Sequence, residues 1–154
     1  LEDCPGVETV VCAIGGGGLI SGLGAAIKAK RPEVRVMGAE PETAAPWALS
    51  LEQGHASEFA AWRSSFVDGA GGRSVIPRMW ERMRPVTDGG IVVTLDEVRW
   101  AMKLMAEKAR VVAEGAGALP LAAAPTGKAA KGPIVCVVSG GNVDLKIFSE
   151  LIDV

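Results

Sequence analysis

Residues 8–24 read Glu-Thr-Val-Val-Cys-Ala-Ile-Gly-Gly-Gly-Gly-Leu-Ile-Ser-Gly-Leu-Gly. An apolar, β-branched run ends in four consecutive glycines and then enters a helix-compatible stretch. That order describes a strand, a bare backbone loop and the positive end of a helix. Without Cβ atoms the loop's N–H groups approach a ligand closely. The helix behind them adds orphan donors and a partial positive charge. A phosphate site at the end of a parallel strand is the reading that follows, although a turn alone would need only one or two glycines.

The rest of the composition permits such a fold. A chain of 154 residues, 49% hydrophobic and 22% charged, suits one globular α/β domain over 1–154 and argues against disorder. Net charge is −2 and no run of five like charges occurs, so a basic face for nucleic acid is not expected. The longest apolar stretches carry too many glycines or charges to cross a bilayer. The opening Leu1-Glu2-Asp3-Cys4 lacks the positive segment of a secretory leader and an initiator Met. The expectation is a cytoplasmic protein and a fragment, processed product or trimmed chain. Cys12 and Cys136 lie in apolar runs, and Cys4 lies near the terminus; reduced thiols are expected.

Periodicity predicts strands at Thr9–Ile14, Val34–Ala39, Ile91–Thr94 and Ile134–Val138. A helix over Leu19–Lys30, with Leu19, Leu23, Ala26 and Ile27 inward and Gly22 close to the sheet, joins the first two. The resulting βαβ unit calls for a right-handed crossover. Further helices are expected over Ala45–Gln53 and Val75–Arg84, with loop between. Thr94-x-x-Glu97 is a capping box opening a helix whose Val98, Ala101, Met102, Met105 and Ala109 face inward. Glu114–Ala118 reads as a turn into an alanine-rich helix, and 126–133 as a polar loop. Leu145, Phe148, Leu151 and Ile152 line a last helix. The fold class is therefore a three-layer α/β arrangement, a mostly parallel sheet flanked by helices.

Ligands of such sheets bind at the carboxyl ends of strands. Gly15–Gly18, Glu40 and Ser139-Gly140-Gly141-Asn142 fall at three such ends, and Glu114 can return to the same edge. Each has a plainer reading: a turn, a loop cap, an N-cap and a solvated charge. His55, the single histidine, reads as an exposed loop residue, so neither a typical zinc site nor a Ser/His/Asp set is recognisable. Gly18 is followed by Leu-Ile-Ser rather than Lys-Ser/Thr, which excludes a P-loop. The dinucleotide fingerprint lacks its third glycine, because Ile20 or Ser21 stands there. Glu40 keeps a stand-alone Rossmann-like phosphate or dinucleotide module open as an alternative.

The segments 13–19 (Ala-Ile-Gly-Gly-Gly-Gly-Leu), 38–41, 67–69 (Val-Asp-Gly), 94–98, 114–118 (Glu-Gly-Ala-Gly-Ala) and 138–144 (Val-Ser-Gly-Gly-Asn-Val-Asp), in that order, carry a resemblance. The chain resembles the C-terminal part of pyridoxal-phosphate enzymes of the tryptophan-synthase-β fold, within which it is similar to threonine/serine dehydratase and serine racemase. The resemblance implies that Gly15, Gly16, Gly17, Gly18 and Leu19 hold the phosphate of pyridoxal 5′-phosphate. It implies that Ser139 meets the pyridine nitrogen, that Glu114 lies near the cofactor and that Asn142 braces the turn. The implied reaction is β-elimination of water from threonine or serine, with deamination to a 2-oxo acid and ammonia.

Departures qualify it. Relatives use a lysine in a Ser-Phe-Lys-x-Arg-Gly type segment, which is absent here, as is the Ser-Gly-Asn-His-like segment over the substrate carboxylate. Lys28, Lys30, Lys103, Lys108, Lys128, Lys131 and Lys146 fall on predicted helices or polar loops. No residue of this chain is therefore assigned a catalytic role, and the isolated chain is expected to be inactive. Some relatives hold a divalent cation; Glu40 matches one ligand, but Pro46 replaces the second acid. A small amino-acid substrate and either homo-oligomerisation or association with a missing N-terminal half are implied. The alternative to catalysis is a remnant acting in assembly.

Overall fold

The structure, a computed structural model, describes residues 1–129 and 132–153. Four strands, β1 (Thr9–Ala13), β2 (Arg35–Pro41), β3 (Gly89–Val93) and β4 (Ile134–Cys136), form one parallel sheet in the order β3-β2-β1-β4. Registers run Thr9↔Arg35 to Ala13↔Ala39, Met37↔Gly89 to Pro41↔Val93 and Thr9↔Ile134 to Val11↔Cys136. Every residue of β1 is buried, as a central parallel strand covered on both faces requires.

Alternation along β1 and β2 sends side chains to two separate cores. Val10, Cys12, Ile14 and Val36 meet α1 (Gly18–Lys30), α2 (Pro46–Gln53) and α3 (Pro77–Met83) on one face. Val11, Ala13, Met37 and Ala39 meet α4 (Leu95–Leu104), α5 (Gly115–Ala123) and α6 (Leu145–Ile152) on the other. The three layers and the parallel sheet agree with the sequence reading. The chain runs from β1 to β2 on one side and later places β4 on the other side of β1. Between β1 and β4 lies the reversal point where open α/β sheets gather ligands.

Several local expectations are corrected. On α1, Leu23 and Ile27 pack inward as expected, together with Ile20 and Gly24; Leu19 is 48% exposed and Ala26 is also outside. Gly22 has open space around it. Gly24 makes the close approach instead, with a Cβ there falling 2.7 Å from the Val86 carbonyl oxygen. The helix therefore sits against the lead-in to β3 as well as the sheet. The capping box is present, with Glu97 N donating to Thr94 Oγ1 and Thr94 N to Glu97 Oε2. After Leu104, however, Met105–Ala109 widens into a π turn. The extra residue rotates Ala109 to solvent and leaves Ala106 against the core. Arg110 then closes the helix in the left-handed region at φ 58°.

The Gly-Ala-Gly after Glu114 is the first turn of α5 itself, not a preceding loop. In α6, Phe148 is buried, but Leu145 is 72% exposed. β2 runs on to Pro41, taking Glu40 into the strand, while β4 stops at Cys136, short of Val138. Most of the loop predicted for 126–133 is described, but Ala130 and Lys131 lie outside the described residues, as does Val154.

Trp47 is the largest side chain with no exposure. Its ring centroid lies 5.2 Å from that of Trp80, and its indole N–H donates to the Gly89 carbonyl at 3.4 Å. It joins α2, α3 and β3. Trp47→Ala is expected to lower the unfolding free energy by about 3–5 kcal/mol, read by urea denaturation.

Candidate functional site

The four glycines follow β1 directly and end at the N-terminus of α1. Gly17 adopts φ 85°, a left-handed conformation natural to glycine, and reverses the chain into the helix. The first helical bond runs from Ser21 N–H to the Gly17 carbonyl, so the amides of Gly18 and Leu19 have no acceptor within the helix. No neighbouring atom occupies the space where a Cβ on Gly16 or Gly18 would stand. The loop thus presents bare donors and a helix dipole's positive end to an open space, the two requirements of an anion cradle.

That space is a pocket of about 160 Å³, bounded by Ala13, Gly15–Gly18, Leu19, Gly69, Glu114, Ala116 and Ser139. The glycine loop, the Glu114 turn and the Ser139 turn, separated by over 120 residues at the extremes, therefore meet at one sheet edge. The junctions are backbone on backbone. A Cβ on Gly15 would overlap the Gly69 carbonyl oxygen, and one on Gly117 would overlap that of Gly140. Glu114 N–H donates to the same Gly140 carbonyl at 3.2 Å. A Cβ on Gly140 would meet the Glu114 carboxylate instead, the movable end of a side chain rather than backbone. The carboxylate lies against the turn that carries Ser139, and the Glu114 backbone N–H ties the two segments.

The structure brings Gly15, Gly16, Gly17, Gly18, Leu19, Glu114 and Ser139 together and leaves two other candidates outside. Asn142 is exposed and does not line the pocket. Glu40 is buried within β2, and both carboxylate oxygens are engaged: Trp47 N–H donates to Oε1 at 2.8 Å and Ala48 N–H to Oε2 at 2.9 Å. Its role is to satisfy the N-terminus of α2, where Ala45 has no side-chain cap to offer. The sequence offers Glu40 only as one possible cation ligand, and its oxygens face a helix terminus rather than the strand-end pocket. Among the described residues, no three His, Cys, Asp or Glu side chains cluster to hold a metal ion. His55 is exposed, as expected.

None of the described lysines lines the pocket; Lys131 lies outside the described residues. Gly69, Ala13 and Ala116 are pocket residues that the sequence reading did not select. Gly69 sits in the short 3-10 turn Asp68–Ala70, delivered by a long excursion from α2. That excursion is fastened by the Trp62 indole donating to the Gly71 carbonyl at 2.8 Å and by the Arg73 guanidinium 4.0 Å over the Trp62 ring. The motif Val67-Asp68-Gly69 was the available signal, but no reactive side chain distinguished it.

A family model described as "Pyridoxal-phosphate dependent enzyme" matches residues 1–140. The L-threonine ammonia-lyase of Thermotoga maritima is 37% identical over 99% of this chain and 38% of its own length. A catabolic L-threonine dehydratase of Staphylococcus aureus is 35% identical over 99% of this chain and 45% of its own. Among solved structures, the processed form of threonine deaminase isoform 2 from Solanum lycopersicum superposes with a TM-score of 0.88 at 28% identity, over 99% of this chain and 46% of that one. Maize serine racemase does so with a TM-score of 0.84 at 34% identity, over 97% and 49%. The chain spans less than half the length of each of these relatives.

Burial pushes the Glu40 carboxyl from 4.5 up to about 7, against the two amide hydrogen bonds that favour its charge. The folded state therefore holds a proton that the unfolded state has released. The associated stability is full below pH 4.5 and is lost as pH rises through 7. Wild type is expected to lose on the order of 2–3 kcal/mol between pH 5 and 8 beyond any loss in Glu40→Gln, read from paired urea titrations.

Proposed function

The chain belongs to the pyridoxal-phosphate dependent enzymes, and on that footing we propose that it is the cofactor-holding portion of a threonine/serine ammonia-lyase. The supporting observation is the single pocket that joins the glycine loop to Ser139 and Glu114. Gly15–Gly18 and Leu19 hold the phosphate through backbone donors and the head of α1. Ser139 presents its hydroxyl to the ring nitrogen at the far end. The donor set suits such a molecule: unencumbered amides for a dianion, a neutral hydroxyl for a heteroaromatic nitrogen, and a carboxylate between them. When bound, pyridoxal phosphate supplies an electron sink for a carbanion at the substrate's α-carbon.

What this chain contributes is placement. A neutral hydroxyl accepts or donates a hydrogen bond without enforcing a protonated ring, so Ser139 orients the nitrogen while leaving the sink weaker than a carboxylate partner would. Glu114, pressed on Gly140, fixes the turn that carries Ser139 and places a negative charge at the pocket wall. The cofactor-linking lysine is proposed to lie outside these 154 residues, since no described lysine lines the pocket and the relatives are more than twice as long. The substrate proposed for the intact enzyme is threonine or serine, following the names of the 35–37% identical relatives. The isolated chain binds the cofactor without turning over substrate and pairs with the remainder of the enzyme or with itself. The cytoplasm is its proposed location.

Titration separates this reading from a dinucleotide module. Pyridoxal phosphate is expected to bind in preference to NAD and ATP, and borohydride is expected to leave no single stable lysine adduct. Preferential NAD binding, or a stoichiometric adduct on one lysine of this chain, overturns the proposal. Ser139→Ala is expected to weaken cofactor binding about fivefold, the value of one hydrogen bond. Gly15→Ala, whose methyl would displace Gly69, is expected to weaken it more.

A further inference from the structure

Gly17 is the hinge between the glycine loop and α1, and its α-carbon faces two thioethers. A Cβ there would overlap Met83 Sδ and stand 3.1 Å from Met79 Cε. The methionines of α3 thus fill the volume that an ordinary residue 17 would use, and the loop's backbone rests on them. They differ in access. Of the five methionines, Met37, Met83, Met102 and Met105 are each 5% exposed or less, whereas Met79 is half-buried. Oxidation follows exposure, so solvent peroxide reaches Met79 first.

We infer that Met79 is an oxidation site coupled to the glycine loop, and that its sulfoxide weakens anion binding at Gly15–Gly18. The inference rests on the reading of that loop as a phosphate cradle. The chemistry is a two-electron oxygen transfer from a hydroperoxide. The peroxide O–O bond breaks, one oxygen becomes bonded to Sδ, and the peroxide leaves as water or an alcohol. The product is larger, polar and a hydrogen-bond acceptor. Beside Gly17 it disturbs the packing that supports the left-handed turn. The thiols do not explain an effect at the loop. Burial pushes Cys12 up to about 11 and raises Cys136, so both stay protonated, and Cys4 lies before β1, at the opposite end of that strand from the loop.

The test uses pyridoxine 5′-phosphate, which lacks the aldehyde and forms no lysine adducts. The chain is titrated before and after mild hydrogen peroxide, with peptide mass mapping and amide hydrogen exchange over residues 15–21. Met79 is expected to be oxidised first, with affinity falling about fivefold and loop exchange accelerating. Methionine sulfoxide reductase reverses both changes, and Met79→Leu, which keeps the volume without the sulfur, shows neither. Sulfoxide at Met79 with affinity and exchange unchanged overturns the inference, as do equal losses in Met79→Leu. If neither redox form binds the probe, the functional proposal falls, and the exchange comparison alone decides the methionine inference.

Discussion

The pocket exists because three backbone segments touch without side chains between them. The Gly69 carbonyl lies where a Cβ on Gly15 would be, and the Gly140 carbonyl where one on Gly117 would be. A single methyl at either place moves a wall of the pocket, since packed backbone has little room to give. The same bareness leaves amides close to the surface of the loop, as donors that a ligand can reach. Packing and recognition thus impose one requirement on the same residues, and glycine alone meets it.

Beneath that edge, a buried carboxyl ties β2 to α2 alongside the apolar contacts of Trp47. Glu40 spans from β2 to the first turn of α2, and Trp47, whose amide it accepts, also fills the core against Trp80. Burial raises the carboxyl's pKa while two amides favour its charge. The helix dipole acts in the same sense as the amides. A residue that looks chemical from its position in the sequence is consumed by a helix terminus. Excluding it concentrates the candidate chemistry on the β1–β4 side of the sheet.

Legibility in the sequence followed the type of signal. The capping box, the β-branched strands and the glycine quartet are local patterns, and each emerged where residues 94–97, 9–13 and 15–18 placed it. Failures came where tertiary contact overrode periodicity. On α1, Leu23 and Ile27 pack inward where expected, but Ile20 and Gly24 replace Leu19 and Ala26, because α3 and the Val86 carbonyl cover that flank. A π turn, unannounced by residue type, moved Ala109 outward. Gly69 escaped notice because a carbonyl that shapes a pocket leaves no mark on the side-chain code. Glu40 was misplaced because two more residues of strand pairing, 40 with 92 and 41 with 93, carry it past the expected strand end.

The division of labour in the proposed enzyme follows from what each kind of group needs. Holding a phosphate and a ring nitrogen calls for fixed donors on rigid elements, and a strand end with a helix behind it supplies them. Attacking a carbonyl carbon calls for an amine that can lose its proton, which is easier when the group is desolvated. The pocket's own wall carries a carboxylate, Glu114, whose charge would favour the ammonium form of a lysine placed against it. An amine that must be neutral is therefore better presented from a separate surface across the cofactor than from the wall that holds Glu114. That electrostatic conflict supports the proposal that the nucleophile and the cradle reside on different parts of the polypeptide.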